Sequence, residues 1–140
     1  MPIALAKINN PEVVDVFLSR VPGGPTTDTL FICTGTAVFD FTSDNGPRTD
    51  ILEFPIPADD GSPLSIPRRA VINTAVTASL ADIDNVNTDN GRWTVDSADI
   101  FLSDPDEGLI LLRITLTVQG SNDIHLRGAA YQANLQVGPE

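Results

Sequence analysis

Side-chain oxygens crowd several short polar segments of this chain, and a crowd of oxygens is what a calcium ion needs. The densest runs Asp82-Ile83-Asp84-Asn85-Val86-Asn87-Thr88-Asp89-Asn90-Gly91, with Asp82, Asp84, Asn87 and Asp89 as candidate metal ligands. No spacing from Asp82, Asp84 or Asn85 delivers both the central Gly and the closing Glu of an EF-hand. A solvated turn is therefore the stronger expectation, because Asp and Asn suit turns for backbone reasons alone. The loop Asp104-Pro105-Asp106-Glu107 matches no ligand template either. No cofactor is expected beyond calcium as a candidate ion.

The single Trp93 and single Tyr131 are the residues able to stack on a sugar ring, as an aromatic face does beside Asp and Asn hydrogen bonds in β-sandwich binding modules. A carbohydrate site would combine Trp93 with Asp89, Asn90 and Arg92 and with Asp104 and Asp106 from the second loop. Tyr131 falls on an apolar parity and reads as core. Trp93 follows a turn, which makes it the better candidate for exposure, although core packing is expected there too.

Nucleophilic catalysis finds little support. His125 is the only histidine, and no Gly-x-Ser-x-Gly elbow or comparable nucleophile turn accompanies it. Its neighbours Ile124 and Leu126 project to the opposite side of a strand, which puts His125 on an exposed face beside Arg127. Zinc would require acidic ligands around His125, and spacing gives no sign of them. Cys33, the only cysteine, excludes an intrachain disulfide, lies inside an apolar strand pattern and reads as a buried core residue. The chain is expected not to be an enzyme.

The elements that position these residues are strands. Residues 109–119 place Ile110, Leu112, Ile114, Leu116 and Val118 on one face and Arg113, Thr115, Thr117 and Gln119 on the other. Residues 29–42 alternate in the same way, with Phe31, Cys33, Ala37, Phe39 and Phe41 together. At 124–137 the apolar parity flips across Gly128, the signature of a bulge, and a second flip occurs between Val95 and Ala98 within 93–102. Residues 69–82 could start a helix behind Ser65 and Pro67, but Val71, Ile72, Thr74, Val76 and Thr77 favour a strand. Shorter strands are expected at 3–8, 12–19 and 50–56, and 91–137 reads as three successive hairpin-linked strands. Asp-Gly and Asn-Gly turns separate these runs, and the Asp-Asn-Gly at 44–46 and 89–91 is recurring turn chemistry, not a repeat. About eight strands with one apolar face each make an all-β, antiparallel β-sandwich, jelly-roll-like or Ig-like, with a flattened barrel as the alternative. Residues 1–140 form one domain.

Charge narrows the partners. Nineteen acidic residues oppose eight basic ones, for a net charge of −11, and Lys7 is the sole lysine. Such a surface repels phosphate backbones and anionic headgroups, so nucleic acid is not an expected partner. Membrane insertion is not expected either, since no apolar run approaches the length a bilayer requires, and the N-terminal residues show no signal-peptide pattern. The Asp-rich, Lys-poor balance fits solubility and also adaptation to high salt. Thr-rich, Lys-free strand faces lack the usual edge blockers, and with no catalytic groups this points to a structural, self-assembling subunit that forms a homo-oligomer, filament or shell. A lectin-like carbohydrate module, calcium-assisted through its Asp/Asn loops, is the alternative.

Overall fold

The computed structural model describes residues 3–19, 27–42, 47–66, 71–85, 92–103, 107–119 and 124–138. Seven strands appear: β1 (Leu5–Ser19), β2 (Thr27–Thr42), β3 (Arg48–Pro55), β4 (Val71–Asn85), β5 (Arg92–Leu102), β6 (Ile110–Gln119) and β7 (Ile124–Val137). They form two antiparallel sheets, of order β1-β2-β7-β4 and β3-β6-β5. The molecule is a β-sandwich, and the flattened barrel is excluded because each sheet keeps two edges. On the β1 side, among the described residues, an isolated bridge from Ile3 to Leu52 is the one backbone pairing between sheets.

Strand β6 behaves as its alternation requires: Ile110, Leu112, Ile114, Leu116 and Val118 are all fully buried. Facing them across the sandwich are Cys33, Ala37, Phe39 and Phe41 of β2 and Ile124, Leu126, Tyr131 and Leu135 of β7. Each such aliphatic or aromatic side chain contributes about 1.5–3 kcal/mol by leaving water, before the entropy of ordering is subtracted. The three central strands β2, β6 and β7 thus build most of the core.

Three expectations are corrected. The runs at 3–8 and 12–19 are one bent strand, because Asn10 adopts φ 51° and the ladder to β2 slips between Asn9 and Glu12. The described residues thus hold seven strands, in keeping with the expected number of about eight. Strands β5 and β6 form a hairpin, but β6 and β7 do not, since β7 crosses to the large sheet and lies between β2 and β4. The resulting order, 1-2-7-4 over 3-6-5, differs from the 1-2-5-4 over 3-6-7 of a constant-type Ig domain by an exchange of the fifth and seventh strands. Lys7 lies on edge strand β1, so that edge is not free of lysine.

Both anticipated parity flips have a structural cause. Register shifts in the β2 and β4 ladders converge opposite Gly128, where a Cβ would lie 3.3 Å from the Asp82 Cβ. A side chain at that position would need Asp82 to give way by a few tenths of an ångström. In β5 the slip falls between Val95 and Ser97, and the intervening Asp96 accepts hydrogen bonds from the Thr94 hydroxyl at 2.7 Å and from the Thr117 hydroxyl. These bonds hold the Asp96 carboxyl below its ordinary range, the Thr117 bond contributing most. Residues 71–85 are strand, as their β-branched load requires.

Candidate functional site

Asn87, Asp89, Asn90, Asp104 and Asp106 lie outside the described residues, as do the Asp-Asn-Gly turns at 44–46 and 89–91. Arg92 and Trp93 begin β5, and Asp82 and Asp84 lie near the end of β4. Asp82 is exposed opposite Gly128, and Asp84 pairs in register with His125. Among the described residues no three His, Cys, Asp or Glu side chains gather as metal ligands.

Trp93 is not a core residue. Its parity points inward opposite Val118, yet it retains 38% exposure. The cause is position: it stands at the start of an edge strand, where one flank has no hydrogen-bonded strand to cover it. Leu102 repeats this at the other end of β5, with 55% exposure. Tyr131 is buried as expected, its ring centroid 5.5 Å from that of Phe54 on the opposite sheet.

His125 is half-buried on the outer face of the large sheet, and strand pairing gives it partners that sequence separation conceals. Its Nδ1 lies 2.9 Å from Asp40 Oδ1 and 3.3 Å from Thr42 Oγ1, both on β2. A carboxylate that orients an imidazole is one component of general-base chemistry. A triad also needs a nucleophile at the other ring nitrogen, whereas Thr42 shares the Nδ1 side with Asp40. The three groups form a cross-strand polar cluster.

Cys33 is fully buried, and burial, reinforced by the negative charges of Asp15 and Asp59, pushes its thiol up to about 12. A thiol in this state does not react near neutral pH. Iodoacetamide at pH 8 is therefore expected to leave the folded chain unlabelled and to modify Cys33 only after denaturation, read by mass spectrometry. The Tyr131 hydroxyl is also displaced upward by burial and carries no hydrogen-bond partner.

A groove of about 510 Å³ opens where the 58–64 loop meets β1 and β2. Val13, Phe31 and Leu64 supply apolar surface, and Asp15, Asp59 and Asp60 supply carboxylates. The loop is braced by Ala58 N–H donating to Ser62 O at 2.7 Å and by the Ser62 N–H and hydroxyl donating to Asp60 Oδ1. Those Ser62 bonds hold the exposed Asp60 carboxyl below its usual range. The Val13 N–H donates to Asp59 Oδ1, which ties the loop to the β1 edge.

The distribution of exposed apolar side chains is the least expected feature. Among the described residues the large ones are Val14, Val16 and Phe17 on β1, Ile51 on β3, and Trp93, Phe101 and Leu102 on β5. Each of these strands is a sheet edge. A signal for β1 was present in the run Val13-Val14-Asp15-Val16-Phe17, which places apolar residues on both parities.

Comparison with protein-family models, with curated proteins and with solved structures finds no match to this chain.

Proposed function

We propose that the chain is a non-catalytic β-sandwich subunit that associates with copies of itself along the β5 edge. The carrying observation is that all seven large exposed apolar side chains among the described residues stand on edge strands, with Trp93, Phe101 and Leu102 on β5. An edge strand carries unpaired backbone donors and acceptors, and apolar side chains beside them favour strand addition over solvation. Pairing two β5 edges about a twofold axis joins two three-stranded sheets into a continuous six-stranded sheet. On the outer face of the small sheet the Arg113 guanidinium lies 4.4 Å over the Phe101 ring and 2.7 Å from Glu53, which presents Phe101 in one orientation.

Net charge opposes this association, because every copy carries −11. Salt screens that repulsion, with a Debye length of about 10 Å at 0.1 M falling to about 3 Å at 1 M. The Asp-rich composition and the apolar edges together favour assembly at high ionic strength. Sedimentation velocity between 0.05 and 2 M NaCl tests this: the mass is expected to rise from monomer towards dimer or larger species. A monomer at every salt concentration and at high protein concentration excludes the proposal.

The carbohydrate-binding reading is favoured by one observation, the exposure of Trp93 at the β5 end nearest the 86–91 segment. A glycan array, run with and without calcium, is its test. Binding that Trp93→Ala abolishes supports this reading; silence across broad sugar classes removes it.

A further inference from the structure

The β1 edge differs from the β5 edge in charge and in shape. In the stretch from Glu12 to Ser19 the ladder to β2 runs without a slip, so backbone groups alternate regularly between facing β2 and facing outward. Val13 faces outward, since its N–H reaches Asp59 on the loop. By alternation Asp15 and Phe17 face the same way, beyond the point where the loop covers the edge. The outer face here carries Val14 at 53% exposure and Val16, and the opposite face carries Phe17 at 75%. Beside it lies the groove, with the apolar surfaces of Val13, Phe31 and Leu64 and the carboxylates of Asp15, Asp59 and Asp60. Among the described residues none that lines it is basic.

We infer that this edge and groove receive an extended, basic segment of a partner protein, added as a fifth strand to the large sheet. Strand addition supplies main-chain hydrogen bonds at Asp15 and Phe17, and alternate side chains of the incoming segment then fall on opposite faces. One set covers Val14 and Val16 and is apolar. The other enters the groove, where a long aliphatic stem ending in a cation meets both the apolar floor and the acidic rim. An arginine side chain has this form. A second copy of the chain fits less well: pairing β1 with β1 about a twofold axis puts the Asp15, Asp59 and Asp60 carboxylates of both copies on the shared edge, and none of the described lining residues is a base that would offset them. The Cys33 thiol, raised mainly by burial, is raised further by Asp15 and Asp59, which places both carboxylates near one another above the core. This inference goes beyond self-association at β5 and does not depend on it.

The probe is a blocked peptide of alternating Val and Arg flanked by Thr, compared with the same peptide carrying Glu for Arg. Binding is read by fluorescence anisotropy, and the contact by protection of backbone amides from hydrogen exchange. The Arg peptide is expected to bind and to protect Asp15 and Phe17, while the Glu peptide stays free. Asp15→Asn with Asp59→Asn keeps the hydrogen-bond acceptors and is expected to weaken the Arg peptide by about fivefold, the worth of two partly exposed charge pairs. Leu102→Lys, a change at the β5 edge, is expected to leave peptide binding unaltered, which separates this site from self-association. The inference is overturned if the two peptides bind alike, if protection falls on β5, if the double Asn variant binds as the parent does, or if free arginine amide binds as tightly as the peptide.

Discussion

Between about pH 9 and 12 the folded chain is expected to lose about 4 kcal/mol of stability through one side chain, Cys33. Unfolded, its thiol ionises near 9.0; folded, it holds its proton to about 12. Above pH 9 the unfolded chain therefore binds fewer protons than the folded one, and stability falls as pH rises. Below pH 9 both states hold the proton and the contribution is flat. Burial is the main cause, and Asp15 and Asp59 add to it by resisting a third negative charge nearby. Tyr131 acts in the same direction above its ordinary value near 10, because burial holds its phenol protonated as well. Urea midpoints measured from pH 8 to pH 11.5 check this. Cys33→Ala is expected to flatten the decline, leaving the share due to Tyr131; parallel profiles for the parent and Cys33→Ala would show that the thiol is not the cause.

The second large effect concerns Gly35 and Tyr131, which face each other across β2 and β7. A Cβ at Gly35 would lie 2.6 Å from the Tyr131 Oη and 2.9 Å from its Cζ. The phenol ring lies over the glycine and closes the gap that a strand glycine leaves. It cannot swing away, because Tyr131 is 3% exposed and its ring meets Phe54 from the other sheet. Gly35→Ala is therefore expected to cost about 2 kcal/mol by overpacking, measured as a lowered urea midpoint with an unchanged slope. Tyr131→Phe alone is expected to be neutral or stabilising by about 1 kcal/mol, because the hydroxyl it removes is buried without a partner. In the double variant the worst contact is gone while the Cζ contact remains, so the two changes together should cost less than the sum of the two single changes. Additive costs would contradict the contact.

The core was legible because alternation is a local property. Each buried residue of β6 could be named from its own strand, and the two parity flips located one irregularity at Gly128 and bracketed the other between Val95 and Ala98 without knowledge of any partner. Topology was not legible, because the choice of β2 and β4 as the neighbours of β7 depends on which sheet has room for a strand apolar along one whole face. Asp40 and Thr42 were missed for the same reason: they reach His125 across 85 and 83 residues, through the β2–β7 register. Trp93 was misjudged because parity gives direction but not coverage, and an inward direction at the tip of an edge strand still leaves a side chain wet. Several polar turns that drew attention first lie outside the described residues. Attention moves instead to the edges, where the departure from alternation in β1 was the readable clue.

The most direct test of edge-mediated association replaces one edge residue and one interior-strand residue with the same charge. Leu102→Lys places a lysine on β5, and Thr115→Lys places one on the outer face of β6, the central strand of the same sheet. At a salt concentration where the parent chain associates, sedimentation velocity is expected to find Leu102→Lys monomeric and Thr115→Lys associated as the parent is. If Leu102→Lys keeps the parent mass, or if Thr115→Lys alone becomes monomeric, the β5 edge is not where copies of this chain meet.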